Sequence, residues 1–564
     1  YSMACFRLPR GLCENITSII RQFWWGSKQG RRKPSWVAWD VMTRPKHMGG
    51  LGFRDMEIFN LALLARRAWR TMTSELSLSS RILKSVYFPN CPLLDAELGS
   101  HPSQIWRAIL DGRDILAQGI IRRIGDGEAT DIWEHNWIPR ESFKRPITSL
   151  VQHPPTRVAQ LISASTASWN EGLVRSIFTP FDSEEILKIP LCTRTVSDFW
   201  AWHDEPRGMF SVRSAYRMIL RTKLNREAWL HEAEGSSYAQ HESKQWSSIW
   251  HLQVPSKLMM FVWRLARQSM PTGELLMHRH MSTEDTCNLC GARDTWRHAL
   301  LTCPMSSSVC ALAPEQLVQH LVDRQEESPK DWLFALHEIL DKEDFVRLVV
   351  TSWAIWGARR KAIHEDIFQS PLSTHGFITR YLIEFQVLNT GSSKPVVVKA
   401  PRAAVWQPPV ANSAKVNVDA AIPQHRRYDA VGAISRSADG AFLGASALVF
   451  RYVSEPETLE ALAIREALAL SDDLYLRRIH VASDYKVVVE DITKENASRY
   501  RAIIHEIIDH SSSFDFCKFS HEFRSSNFEA HNLAKHALSL GVGRHVWLGH
   551  PGNLPFVPVN IVTT

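Results

Sequence analysis

The chain has no long apolar run. No stretch approaches the ~18 consecutive apolar residues of a membrane-spanning helix, so no membrane segment is expected. Cysteine is sparse, with nine in 564 residues, too few to form a disulfide framework. Three of the nine cluster at metal-ligand spacing, which favours a reducing, intracellular setting. No basic segment followed by an apolar run opens the sequence, so no signal peptide is expected. The sequons at Asn15 and Asn496 therefore read as chance matches. A start at Tyr1 rather than methionine reads as a fragment of a longer frame. No internal repeat is found, and neither sign of charge dominates. The net charge of +7 is compatible with nucleic acid without pointing to it alone.

What is present is ordinary globular material, 45% hydrophobic and 22% charged. This length suggests three or four domains of about 150 residues each. The 21 tryptophans are a high count, and many stand among basic residues.

Three carboxylates carry the most chemistry. Asp419 ends the alternating run Lys415-Val416-Asn417-Val418-Asp419. Alternation puts Val416 and Val418 on one face and Asn417 and Asp419 on the other. Asp484 ends a second such run, from Ile479 through His480, Val481, Ala482 and Ser483. Glu460 lies in a helical pattern, Glu457 to Leu470, where it flanks the apolar positions Leu459, Ala463, Ala467 and Leu470. Strand, helix and strand with one acid each can converge oxygen ligands on divalent cations. A further helix, Asn527 to Leu538, carries Ala530, Leu533, Ala534, Ala537 and Leu538 as its stripe.

Cys287-x2-Cys290-x7-His298-x4-Cys303 offers three thiolates and one imidazole. Four soft donors suit tetrahedral Zn²⁺ and leave no open position, so the site reads as structural. Cys310, His278 and His280 are spare donors nearby. At the other end of the chain, Arg21, Trp24, Trp25, Lys28, Arg31, Arg32 and Lys33 form a basic-aromatic run without an acid. It reads either as a nucleic-acid grip, cations on phosphates and indoles on bases, or as a solvated loop beside a Trp-rich core.

Several stretches resemble the plant non-LTR (LINE-type) retrotransposon reverse transcriptases, over most of the chain. Ser248 to Lys257, Phe261-Val262-Trp263-Arg264, Met270-Pro271-Thr272 and the cysteines resemble that family's zinc-binding domain. Phe23-Trp24-Trp25-Gly26, Trp36-Val37-Ala38-Trp39-Asp40, Gly49-Gly50-Leu51-Gly52-Phe53, Ile124-Gly125-Asp126-Gly127 and Gly208 to Tyr216 are similar to the parts around it. Val416 to Asp419, Gly432 to Arg436, Leu459 to Leu468, Val481 to Asp484 and Ala530 to Lys535 resemble its ribonuclease H-like domain.

The resemblance implies a multidomain α/β chain. Its carboxy-terminal ribonuclease H-like mixed sheet has flanking helices. A small zinc-binding module and a mainly helical amino-terminal region precede it. The expected layout is a post-palm remnant at 1–145, a connecting region at 146–245 and the zinc-binding domain at 246–310. A helical segment with linker (311–411), the ribonuclease H-like domain (412–545) and a tail (546–564) follow. Within the connecting region, His231 to Lys244 reads as a linker.

The implied function is metal-dependent endonucleolytic hydrolysis of RNA in RNA–DNA hybrids, with Mg²⁺ or Mn²⁺ held by Asp419, Glu460 and Asp484. His521 would match a histidine that assists product release. Two departures stand out. Ala420 replaces a frequent glycine, and His531 occupies the position of an aspartate in active ribonucleases H. Imidazole is a poor Mg²⁺ ligand, so a catalytically inactive nucleic-acid-binding remnant is the alternative. The family's polymerase needs a paired-aspartate turn. Asp472-Asp473 follows the helix around Glu460, in the wrong context, so no polymerase activity is expected.

Overall fold

In the computed structural model the described residues are 2–28, 31–141, 143–148, 154–163, 168–191, 196–230, 236–391, 406–410, 412–423, 428–451, 455–494 and 500–558. They divide into two compact units. One joins residues 8–59 to 224–397, and the other joins 1–7, 60–223 and 398–564.

The first unit is helical. Helix α1 (Arg10–Trp25) ends at Gly26, whose φ of +81° is one that residues with a Cβ rarely adopt. Helix α2 (Ser256–Ala266) buries Leu258, Phe261, Val262, Trp263 and Leu265, the 3.6-residue stripe of its sequence. Helix α3 (Lys342–Glu365) starts on an Asp341 cap, which accepts the Asp344 N–H at 2.8 Å, and stops at left-handed Asp366. Backbone carbonyls far away in sequence bind the early segment to these helices. Arg279 donates to the carbonyls of Ser35 and Trp36 at 2.8 and 2.7 Å, and the Trp263 indole donates to Gly49 O at 2.9 Å. The stretch read as a linker, 231–244, instead runs into a helix, Ser236–Trp250, anchored beyond that stretch by fully buried Trp246 and Ile249.

The second unit carries four bodies of core. In its earlier part the helices Met56–Thr73 and Gln104–Gly119 pack around Trp106 and Trp202. The Ile124-Gly125-Asp126-Gly127 turn closes on buried Asp198, which accepts the N–H groups of Gly125 and Gly127 and the Thr130 hydroxyl at 2.7, 3.0 and 2.6 Å.

The later part is a six-stranded mixed sheet: β1 (Ala414–Ala421), β2 (Tyr428–Arg436), β3 (Phe442–Arg451), β4 (Arg478–Ser483), β5 (Phe516–His521) and β6 (Gly543–Leu548). The order is β5-β4-β1-β2-β3-β6. The pairs β1/β2, β2/β3 and β3/β6 are antiparallel, while β4 runs parallel to both β1 and β5. Helices α4 (Pro456–Asp473), α5 (Lys486–Thr493) and α6 (Arg501–Ser511) cover one face through Leu459, Leu462, Val488, Ile503 and Ile507. Helix α7 (Phe528–Ala537) covers the other through Leu533 and Ala537. The end of β6 runs into the stretch 546–564 read as a tail, and Leu554 and Val557 there are buried beside α7. Of the linker expected to end at residue 411, residues 392–405 and 411 lie outside the described residues.

Candidate active site and metal centre

Register builds the carboxylate site. Val418 on β1 pairs with Ser483 on its parallel neighbour β4. The next residue on each, Asp419 and Asp484, therefore stands at the carboxyl ends of adjacent strands, roughly 4.8 Å apart in a sheet. Here the chain order of the sheet diverges, which is where open α/β sheets present their functional groups. Glu460 enters from the second turn of α4. Its carboxylate accepts the Ser483 hydroxyl at 3.3 Å and the Ala420 backbone N–H. One ligand oxygen from each of Asp419, Glu460 and Asp484 lies within 4.8 Å of the others.

Three carboxylates this close cannot all ionise cheaply when buried. Burial, then the charge of Asp484, pushes Asp419 up to about 8, against the pull of Arg524 and Lys535. Burial, then Asp419 and Asp484, holds Glu460 well above the ordinary carboxylate range. The donor set is hard oxygen with its charge unmatched, and it fits a divalent cation of the Mg²⁺ class.

His531 comes from α7, with Nδ1 2.8 Å from Asp419 Oδ2. Burial, then Lys535 and Arg524, lowers its pKa, so the neutral ring is favoured. The helix reaches this close because Gly432, the cross-strand partner of Asp419, has no side chain. A Cβ there would lie 2.9 Å from the Ala534 nitrogen. Asn527 fixes the start of α7, donating to Val418 O at 2.7 Å and accepting from Asn417 at 3.0 Å. Glu522 ties Asn417 and Lys415 at 2.8 and 2.6 Å. These polar supports were not singled out in the sequence, although Asn417 shares the strand face of Asp419. His521 ends β5, is exposed, and packs edge-on to Phe523.

In the helical unit Cys287, Cys290, His298 and Cys303 bring their ligand atoms within 4.8 Å of one another. The first pair sits on a turn in which Gly291, at φ +78°, donates to Cys287 O. His298 to Thr302 form a turn of π-helix that presents the imidazole toward Cys290, at 3.2 Å. Of the spare donors, Cys310 faces the apolar core, where burial pushes its thiol up to about 11. His278 and His280 are outside the group.

A residue not anticipated from the sequence completes this centre. Arg359 on α3, 2% exposed, donates to Cys287 Sγ at 3.1 Å and to Asp294 Oδ1 at 2.7 Å. Asp294 in turn accepts the Gly273 N–H at 2.7 Å. Burial opposes ionisation of Cys287, but the Arg359 hydrogen bond, with Leu289 N–H and His298, brings its thiol down to about 6. The set of three sulfurs and one nitrogen fits zinc.

Of the basic-aromatic run, Arg21, Trp24 and Trp25 lie on the last turns of α1. Lys28 pairs with Arg31, and Ser27 with Arg32, in two short antiparallel strands. The side chains of Lys28, Arg31 and Arg32 lie outside the described residues. Lys33 returns beside Gly26, to whose carbonyl its N–H donates at 3.2 Å.

Residues 417–537 match the family model described as reverse transcriptase-like, and residues 210–309 match the model for zinc-binding in reverse transcriptase. An uncharacterized mitochondrial protein of Arabidopsis thaliana is 44% identical over 148 residues, 26% of this chain and 96% of that protein. The chain belongs to the reverse-transcriptase-like family. It is retrotransposon-derived and joins a zinc-binding module to a ribonuclease H-like domain. A putative ribonuclease H protein of Arabidopsis thaliana is 24% identical over 566 residues, 97% of this chain and 87% of that one. Among solved structures, RNase H1 from the archaeon Halobacterium salinarum NRC-1 is 22% identical, with a TM-score of 0.21, over 22% of this chain and 97% of its own. LC11-RNase H1 in complex with an RNA/DNA hybrid is 17% identical, with a TM-score of 0.20, over 22% of this chain and 100% of its own.

Proposed function

We propose that the carboxylate site cleaves the RNA strand of RNA–DNA hybrids endonucleolytically, with Asp419, Glu460 and Asp484 as the ligands of Mg²⁺ or Mn²⁺. The observation that carries this reading is the convergence of three carboxylates within 4.8 Å at the strand ends, with Asp419 and Glu460 both held above the ordinary carboxylate range. When bound, such cations supply an activated water and neutralise charge at the leaving oxygen. The residues of the chain hold the geometry. The Ala420 N–H and the Ser483 hydroxyl orient Glu460, and His531 fixes one oxygen of Asp419. Arg524 and Lys535 add positive charge beside the site, where a phosphate backbone would approach. The hybrid would be recognised through 2′-hydroxyls and groove shape.

The zinc-binding module is read as structural, with Cys287, Cys290, His298 and Cys303 filling all four positions of Zn²⁺. Cleavage of an end-labelled RNA–DNA hybrid in Mg²⁺ or Mn²⁺ tests the activity, with Asp419→Asn as the control. Product equal to the control's would sink the hydrolytic reading. His531 specifically favours a second reading, a nucleic-acid-binding remnant without turnover, because it adds no charge where a fourth acid would.

A further inference from the structure

Beside the zinc-binding module, and within the same unit, lies an open cavity of about 460 Å³ that the hydrolytic reading does not use. Its wall is made of Trp24, Trp25, Trp36, Trp263 and Trp356, together with Lys33, Arg264 and Arg360. Helical spacing assembles it. Trp263 and Arg264 sit on α2, and Trp356 and Arg360 stand four residues apart on α3. The end of α1 brings the two neighbouring indoles, and the return of the chain brings Lys33.

Three features ask for a ligand. The cavity wall has no carboxylate, and among the described residues none of Lys33, Arg264 and Arg360 forms an ion pair. Lys33 and Arg360 are exposed, whereas Arg264 is half-buried and donates from Nη2 only to the carbonyl of Ser269, at 3.0 Å, with no acid beside it among the described residues. Burial, then the like charge of Arg360, lowers the Arg264 pKa, so the two guanidiniums stand close enough to repel. Arg264 Nε and the Trp25 indole N–H are also buried without a partner, although buried donors are as a rule satisfied.

We propose that this cavity is a binding site for single-stranded nucleic acid, in which the indoles stack a base and Lys33, Arg264 and Arg360 hold the adjoining phosphates. Base faces stack on indoles irrespective of sequence, and flanking cations track the backbone. An acidic peptide would satisfy the cations but leave the exposed indole of Trp24 without a flat partner. A volume of this size accommodates a small-molecule-sized group, so one nucleotide of a strand fits with its neighbours outside. The site shares no residue with the carboxylate centre.

The test is fluorescence anisotropy of a labelled 15-nucleotide single strand, made in RNA and in DNA, on the full chain carrying Asp419→Asn so that cleavage cannot intervene. Exposed Lys33 and Arg360 are changed together to Gln. Each phosphate contact on a single strand contributes about 0.7 to the slope of log affinity against log salt. The double variant is expected to bind at least tenfold more weakly with a slope reduced by about 1.4. Trp24→Ala is expected to bind about tenfold more weakly at unchanged slope, as stacking loss requires. An Arg81→Gln control, on an exposed helix of the other unit, should leave both quantities alone. Unaltered affinity and slope in the double variant, with melting temperature and zinc content as in the parent, would overturn the site. Displacement by an acidic peptide but not by single strands would overturn it in favour of a protein ligand.

Discussion

His531 Nδ1 lies 2.8 Å from Asp419 Oδ2, a hydrogen bond from a helix on one face of the sheet to the end of its central strand. The bond occupies one of the two oxygens that Asp419 could offer a cation. The histidine is thus a spacer in a ligand ring.

Replacing it with an acid should restore that ring. His531→Asp is expected to raise Mg²⁺-dependent hybrid cleavage by about tenfold or more, on the scale of one well-placed catalytic group. Initial rates on a labelled hybrid check this. Equal rates would show that residue 531 does not limit metal use.

The crowded carboxylates predict an unusual pH profile for the metal-free protein. Asp419 is pushed up from 3.8 to about 8. A carboxyl with a raised folded pKa contributes its stability in full below its unfolded value, and that stability is lost as pH rises through the folded one. Melting temperature without divalent cations should therefore fall from about pH 4 to about pH 8. Asp419→Asn should flatten the fall and stabilise the metal-free protein at pH 8 by about 1–3 kcal/mol. A profile identical in parent and variant would remove Asp419 as its source.

Cation uptake should release protons for the same reason. Titration of Mg²⁺ at pH 7 in two buffers of different ionisation heat should reveal proton release that Asp419→Asn diminishes. No buffer dependence would mean that the site is already ionised.

At the zinc-binding module, Cys287→Ser with Cys290→Ser should abolish stoichiometric zinc and unfold the surrounding helices, because metal-binding energy is folding energy in such modules. Metal analysis and circular dichroism report the two effects. Full zinc content in the double variant would refute the ligand assignment.

Arg359 should matter nearly as much as a ligand. Its pair with Asp294 is buried on both sides, at 3% and 7% side-chain exposure. Breaking such a pair costs about 3–5 kcal/mol. Arg359→Met is expected to lose that much and to release zinc faster to a chelator, whereas Arg360→Met on the same turn should do neither. Chelator kinetics comparable to the parent would confine Arg359 to packing.

The donor residues were legible in the sequence because each lies on a locally patterned element. Alternation placed Asp419 and Asp484 at strand ends, and four soft donors within 17 residues announced the zinc site. The supports around them were not legible, because they depend on contacts between distant segments. Arg359 looks like any charge on a helix, yet it is buried by a cysteine 72 positions earlier. Residues 8–59 join the later helices through backbone carbonyls, such as those of Ser35 and Trp36, which no side-chain period records. The helix Ser236–Trp250 was hidden for a related reason: its composition is polar, and among its described side chains Trp246 and Ile249 alone are fully buried.

Gly432 has one further consequence. The distance between α7 and the sheet is set by the backbone of that glycine, while the chemistry offered to Asp419 is set by the side chain at 531. Framework and reactivity are thus written at different positions. A lineage can exchange acid for imidazole there, or back again, in one step and without repacking its sheet, so loss of turnover in such a domain is readily reversed.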